Sequence, residues 1–177
     1  DRSLGQQSIG KAVINVLKQE TDNIQYMIDM ESAYRGQVKD AKRYYELKEN
    51  RRVFVVQDEI IPLNNGDKVY WFWHTFADIG LSDPRAVEME DNTVILTADG
   101  GRRLHIQIDA NIPFVLRKGM SLPLETSPAP FDQLQGGMIS NLLTVYFETG
   151  SEPILLRATA WEEGKDYVPG ELKPFGA

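Results

Sequence analysis

The stretch VFVVQDEIIPLNNGDKVYWFWHTF, residues 53–76, decides the fold class. Both halves alternate with a period of two residues and are rich in Val, Ile and aromatic side chains, which is typical of β-strands. Residues 64–67, Asn-Asn-Gly-Asp, lie between the halves and have the composition of a tight turn. We therefore predict strands at 52–61 and 68–76 that pair antiparallel as a hairpin.

The same pattern recurs along most of the chain. Further strands are predicted at 9–18, 24–30, 40–48, 86–90, 93–98, 102–109, 113–117, 141–148 and 153–161. Residues 41–50 have the composition of a helix, but they lie between two strand-like runs and we predict a strand. The turn residues Asp99-Gly100-Gly101 predict a second hairpin. Together these elements predict an all-β fold, an antiparallel, supersandwich-like β-sandwich of about ten to twelve strands with little helix.

The length and the irregular segments indicate one domain. A chain of 177 residues suits a single domain, 1–177, whose core needs no disulfide, and the sequence has no cysteine. Prolines and glycines across 119–140 predict a long loop, and 162–177 is predicted as an irregular tail that leaves the core. Because the chain begins at Asp1, we interpret it as a mature form or a piece of a longer polypeptide. No apolar run approaches the roughly 20 residues of a membrane span.

The charge of the chain argues against one class of partner. The net charge is −7 and the isoelectric point is about 4.9, whereas a nucleic-acid-binding domain normally carries a basic stripe. The same acidity disfavours binding of an acidic polysaccharide through bulk charge, although local arginines can still bind one.

Few residues are candidates for a site, because the chain has only two histidines. His74 lies in an aromatic run, where a histidine is more often a hydrogen-bonded core residue than a ligand. His105 alternates with Arg103 and Gln107 on a polar face that is typical of the surface. Asp58 shares a face with apolar residues, where a carboxylate is costly unless it is paired. Its predicted partner is the hairpin backbone, an arginine or His74.

These residues do not complete a catalytic or metal site. Asp58 and His74 are two metal ligands, whereas a zinc site needs at least three from the protein. The sequence contains no Ser-His-Asp pattern and no phosphate-binding loop. The aromatic residues at 70–73 and Trp161 are interpreted as core and not as a platform for sugars. No catalytic residue is therefore assigned, and the substrate-binding residues stay unknown.

Three segments, taken in order, resemble a known family. They are Leu4-Gly5-Gln6-Gln7 with the strand at 10–17; Asp29-Met30 through Ala33-Tyr34, then Ala41-x-Arg43 and Val55-Val56-Gln57-Asp58-Glu59-Ile60; and Trp71-Phe72-Trp73-His74-Thr75. Their order and spacing are similar to the carboxy-terminal β-sandwich of heparinase II/III-like polysaccharide lyases, which are related to alginate lyases. The resemblance covers residues 4–110.

The resemblance implies both a fold and an activity. Members of this family join an α/α toroid to a large β-sandwich, and they cleave uronic-acid polysaccharides by β-elimination. Some hold zinc with two histidines and an aspartate, and by motif Asp58 and His74 match two of these ligands. The histidine-rich segment that precedes the match, and the toroid with its catalytic tyrosine, are absent from this sequence. The resemblance therefore implies a zinc site that only the full-length parent would complete.

Three functions compete at this point. The first is an accessory domain of a polysaccharide lyase, not catalytic alone, which packs on the missing toroid and binds an acidic polysaccharide such as a glycosaminoglycan or alginate. The second is a non-catalytic carbohydrate-binding or cell-surface module, for which a row of exposed aromatic residues is expected. The third is an independent enzyme that uses His105 or a loop carboxylate, and it has the least support. For the first we expect a bacterial protein of the periplasm or one that is secreted.

Overall fold

β-Strands form nearly all the regular structure of residues 10–81, 92–121, 140–165 and 167–176, the part of the chain that the computed structural model describes. The strands are β1 (Val13–Gln19), β2 (Ile24–Asp29), β3 (Val38–Lys48), β4 (Val53–Pro62), β5 (Lys68–Thr75), β6 (Asp78–Leu81), β7 (Thr93–Thr97), β8 (Arg103–Ala110), β9 (Val115–Met120), β10 (Asn141–Glu148) and β11 (Ile154–Glu162). The helical content of this part is one 3-10 turn, Glu31–Tyr34. Within it, no helix has the length and hydrophobicity to cross a bilayer.

The strands form two antiparallel sheets, which confirms the prediction of an antiparallel β-sandwich. The large sheet has eight strands in the order β1-β2-β3-β4-β11-β8-β7-β6, and the small sheet has three in the order β5-β10-β9. The predicted strand at 86–90 and most of the predicted loop at 119–140 lie outside the described residues.

The core lies between the small sheet and strands β4, β11, β8, β7 and β6 of the large one. Alternate residues of facing strands meet there, and the largest fully buried side chains are Phe147, Ile106, Ile108, Leu143, Ile154, Val94 and Val145. Each such side chain contributes about 1.5–3 kcal/mol through its burial. No described residue of β1 or β2 belongs to this cluster. The large sheet therefore extends beyond its smaller partner on the β1 side.

The predicted hairpin across residues 64–67 is wrong. β4 pairs with β3 and β11, whereas β5 pairs with β10 in the other sheet. The connection therefore crosses from one sheet to the other, and Thr149, at the end of β10, holds it. The Thr149 hydroxyl donates to the carbonyl of Asn64 at 2.8 Å and accepts from the backbone N–H of Asp67 at 3.0 Å. Gly66 has φ +77°, which explains the glycine in this turn.

The other local predictions have mixed outcomes. The hairpin at 99–101 is confirmed, because β7 and β8 pair antiparallel and both glycines, Gly100 and Gly101, have positive φ. The helix-like segment 41–50 is a strand for most of its length, within β3. β6 was not predicted, because four residues are too few for a period to be visible.

The tail is irregular and lies outside the core, as the sequence predicts, but it does not extend freely into solvent. Residues 167–176 are irregular, but they cross the outer face of the large sheet. The side-chain amide of Gln57 donates to the carbonyl of Lys173 at 2.9 Å, and the ring of Phe175 stacks on Tyr44 with centroids 4.5 Å apart. The polar residues of the tail suggested that it lies in solvent. The contacts are made largely by main-chain atoms, whose partners cannot be inferred from the residue types.

Candidate functional site

Asp58 is paired with an arginine and not with His74. The side chain of Asp58 is 3% exposed on the inner face of β4, directly opposite Arg43 of β3 in the strand register. The guanidinium donates through Nε to Oδ1 at 2.6 Å and through Nη2 to Oδ2 at 2.6 Å, which is the bidentate geometry that fits arginine to a carboxylate. Of the three partners that the sequence allowed, the structure therefore selects the arginine.

The electrostatics of this pair are those of a buried structural contact. Burial raises the pKa of Asp58, while the hydrogen bonds from Arg43 and from the side chain of Trp71 oppose that shift. Burial lowers the pKa of Arg43, but the hydrogen bond and charge of Asp58 outweigh it, so the net direction is upward. The guanidinium carbon also lies 6.0 Å from the centre of the Trp71 ring. Both oxygens of the carboxylate are thus already used within the core.

His74 lies on the opposite side of the small sheet. Trp71 of β5 points into the core and the ring of Trp73 packs against it, so the alternate residues Tyr70, Phe72 and His74 point away from the large sheet and are exposed. The interpretation of His74 as a core residue is therefore wrong, and the structure does not bring it near Asp58. The two side chains do not fit a shared zinc ion. Whether a longer polypeptide binds zinc stays a prediction.

Side chains on the outer side of the small sheet form a surface that we call the aromatic face: the exposed Tyr70, Phe72 and His74 of β5, the half-buried Tyr146 of β10 and the exposed Arg117 of β9. The register places Tyr146 opposite Tyr70, and it places Thr144 between Phe72 and Arg117. Tyr70 and Phe72 are each 51% exposed, although the sequence analysis interpreted both as core.

The rings of the aromatic face form a continuous strip across two strands. The centroids of Tyr70 and Tyr146 are 5.0 Å apart, and those of Tyr70 and Phe72 are 6.4 Å apart with planes at 15°. His74 lies beyond Phe72 at 6.4 Å, edge to face. The guanidinium carbon of Arg117 lies 5.7 Å from the Tyr146 ring at the other end. This arrangement offers ring faces to an apolar surface and a cation to an anion.

The hydroxyl of Tyr146 is tied to the edge of this surface. It donates to Oε1 of Glu148 at 2.9 Å, and that hydrogen bond is the first cause of a raised Tyr146 pKa. The phenol is therefore held by Glu148 and its hydrogen is already donated within the protein.

Sequence reasoning missed the aromatic face because both sides of β5 are aromatic. Tyr70 and Phe72 alternate with Trp71 and Trp73, so the period identifies a strand but not which side is buried. The one available signal is His74, the polar residue on the exposed side.

Two other groups of polar residues are explained by internal contacts. His105 stacks on Trp161 at 5.6 Å on the outer face of the large sheet, as expected of a surface histidine. Oxygens of Asp29, Glu31 and Asp40 lie within 4.8 Å of one another. Lys42 binds Asp40 at 2.5 Å, so this acidic cluster already has a cation of its own.

A groove of about 400 Å³ lies between the outer face of the large sheet and the tail. Its floor includes Gln57, Arg157 and Thr159, and Tyr167 forms part of its wall. Arg157 donates to Asp109 at 2.7 Å and to the carbonyl of Gly170 at 2.5 Å. The guanidinium in the groove is therefore already engaged with the protein itself.

Several solved structures share this fold. The heparan sulfate lyase HepC from Pedobacter heparinus matches 90% of this chain, with a TM-score of 0.62 and 13% identity. A heparinase III gene product matches 88% with a TM-score of 0.63 and 14% identity, and another heparinase III structure matches 84% with a TM-score of 0.59 and 12% identity. The chain shares its fold with part of these lyases.

The extent of the match is as informative as its quality. The chain spans 23% of the HepC chain and 22% and 21% of the two heparinase III chains, so most of each lyase lies outside the matched region. No protein-family profile and no curated protein matches the sequence. The heparinase-like fold is consequently the finding that the comparisons establish.

Proposed function

We propose that this chain is a β-sandwich module of a polysaccharide lyase that acts on uronic-acid glycans by β-elimination. The observation that carries the proposal is the fold match over nine-tenths of this chain to less than a quarter of HepC. In that view the catalytic α/α toroid is supplied by the same polypeptide, and the 177-residue module is not a catalyst alone. A bacterial periplasmic or secreted location goes with this role.

Within the module, the aromatic face is the surface that we assign to the glycan. Flat rings such as Tyr70 and Phe72 pack on the apolar C–H faces of pyranose rings, and these two rings are already exposed side by side. Arg117 at the end of the strip supplies a planar cation for a uronate carboxylate. These local groups would overcome the unfavourable net charge of −7.

Affinity electrophoresis of the 177-residue chain through gels that contain heparan sulfate, alginate or hyaluronan tests the assignment. We expect retardation by at least one polymer, and we expect the double variant Tyr70→Ser/Phe72→Ser to lose it. Val168→Ser is the matched control, because Val168 is 87% exposed on the tail, away from the small sheet. Equal retardation of both variants would refute the aromatic face as the site.

The same polymers test the lyase role when the longer polypeptide that carries the module is used. β-Elimination leaves an unsaturated uronate whose ultraviolet absorbance grows with each cut. We expect that signal from the longer polypeptide and none from the module alone. Binding without any cleavage by the longer polypeptide would exclude the lyase role.

The second candidate is a carbohydrate-binding module without a lyase partner. The exposed rings of Tyr70 and Phe72, continued by the half-buried Tyr146, favour it, because a row of exposed aromatic residues is expected of such a module. The two candidates share the binding result and differ in the cleavage result.

A further inference from the structure

β1 exposes apolar side chains on both of its faces. Val13 is 56% exposed, Ile14 66%, Val16 57% and Leu17 48%, within a strand of seven residues. An exposed strand normally presents its apolar residues on one face only, because the other face meets water. β1 therefore has more apolar surface than packing on one side can cover.

The backbone of β1 is unpaired along one edge. Among the described residues, β1 pairs with β2 only and is the first strand of the large sheet. Proteins protect an exposed edge strand by charged residues, bulges or short length. Lys18 could protect β1 as a charged residue, but it is bound to Glu20 at 3.0 Å.

The inner face of β1 lies in line with the core without belonging to it. Val16 is opposite Tyr26 of β2, which is opposite Tyr45 of β3, and Tyr45 packs against the hydrophobic core beside Val56 of β4. An added strand would extend this row, and its side chains would flank those of β1 on both faces of the sheet. A helix packed on the sheet would cover one face and leave the free backbone edge in water. The chemistry of this edge therefore selects a β-strand as its partner.

The sequence of β1 indicates which chain supplies the partner strand. The run Val13-Ile14-Asn15-Val16-Leu17 has the same pattern in both directions about Asn15. When two copies pair antiparallel around a two-fold axis at Asn15, Ile14 lies opposite Val16, Val13 lies beside Leu17, and the polar Asn15 meets its own copy. We propose that β1 pairs with β1 of a second copy of this chain, which joins two large sheets into one.

Charge agrees with this register. Lys11 and Lys18 lie away from the two-fold position at Asn15, so no like charges face each other at the centre. The bulge between Val16 and Lys18 confines regular pairing to the centre of the strand. A contact of this size belongs to the weak class, and we expect a dissociation constant of roughly 10–1000 μM.

Sedimentation velocity of the 177-residue chain across that concentration range tests the proposal. The expected result is a monomer that becomes a dimer as the concentration rises. Asn15→Asp places two carboxylates directly opposite each other and should weaken the dimer by about tenfold or more, and Asn15→Lys should do the same with two ammonium groups. Asn15 is exposed, so neither change disturbs the core.

Mixing the two variants is the decisive step. In this mixture the two-fold register places the introduced carboxylate of one copy opposite the introduced ammonium group of the other, so the mixture should dimerise at least as well as the unmodified chain. Val168→Asp adds the same negative charge at an exposed apolar residue elsewhere and should leave the dimer unchanged. A chain that stays monomeric throughout the range, a dimer insensitive to Asn15→Asp, or a mixture that stays monomeric would each overturn the proposal.

Discussion

Replacing Asp58 by alanine should destabilise this domain more than any surface change. The substitution removes the carboxylate that accepts two hydrogen bonds from Arg43 at 2.6 Å, and it leaves a guanidinium whose side chain is only 27% exposed. Removing one partner of a buried pair costs about 3–5 kcal/mol, because the remaining charge is uncompensated. The side chain of Trp71 loses its acceptor as well.

The expected loss is a large part of the total stability. A domain of this size unfolds with a free energy of about 5–15 kcal/mol, so Asp58→Ala should remove about a fifth of it or more. Urea unfolding followed by tryptophan fluorescence measures the loss, because Trp71 is in the core beside the pair. The midpoint should fall while the slope with denaturant stays the same, as expected for a change in stability alone.

A double variant separates the loss of the pair from the loss of packing. In Arg43→Met/Asp58→Leu, both charges are replaced by apolar groups, and a buried pair replaced in this way costs far less than one partner removed alone. The double variant should therefore be more stable than Asp58→Ala. A loss below about 1 kcal/mol for Asp58→Ala, or a double variant that is less stable than it, would refute the assignment of a buried ion pair.

Three further predictions follow from contacts outside the core. Phe175→Ala removes the stack on Tyr44 and should lower the unfolding free energy by about 0.5–1.5 kcal/mol in thermal or urea unfolding, and no change would mean that the tail does not stay on the sheet. Thr149→Val removes two hydrogen bonds from the crossover between the sheets and should cost about 1–2 kcal/mol by the same measurement, whereas Thr149→Ser should retain most of the stability. Glu148→Gln weakens the hydrogen bond and removes the charge that together raise the Tyr146 pKa. Ultraviolet titration against a Tyr146→Phe reference should therefore show that phenol ionising at lower pH than in the unmodified chain, and an unchanged curve would contradict this effect of Glu148 on Tyr146.

The fold class and most strands could be predicted from the sequence, because the alternation of side chains is a local property. The prediction at 141–148 coincides with β10 as the structure has it, and the competing helix at 41–50 was resolved correctly by its neighbours. Pairing between strands is not local. The Asn-Gly turn at 64–67 favoured a hairpin, but Thr149, more than eighty residues further along the chain, binds that turn to a different sheet.

The candidate site was harder to predict for a related reason. Period two places Asp58 and His74 on definite sides of their strands but does not say how the two strands are arranged in space. Once β4 and β5 are in different sheets, the inward side chain of Asp58 faces Trp71, and His74 points away from both. The alternative of an arginine partner was open in the sequence, and only the register of β3 against β4 selects Arg43.

The tail is held through oxygens of its main chain. Gln57 donates to the carbonyl of Lys173, and Arg157 donates to the carbonyls of Gly170 and Glu171. A backbone carbonyl is the same group whatever side chain its residue carries. The sheet therefore binds the backbone conformation of this segment and not its amino-acid sequence. Substitutions should consequently be tolerated along the tail except at Tyr167 and Phe175, whose rings are themselves bound. A different peptide sequence should fit the other positions while Gln57, Glu59 and Arg157 of the sheet stay unchanged.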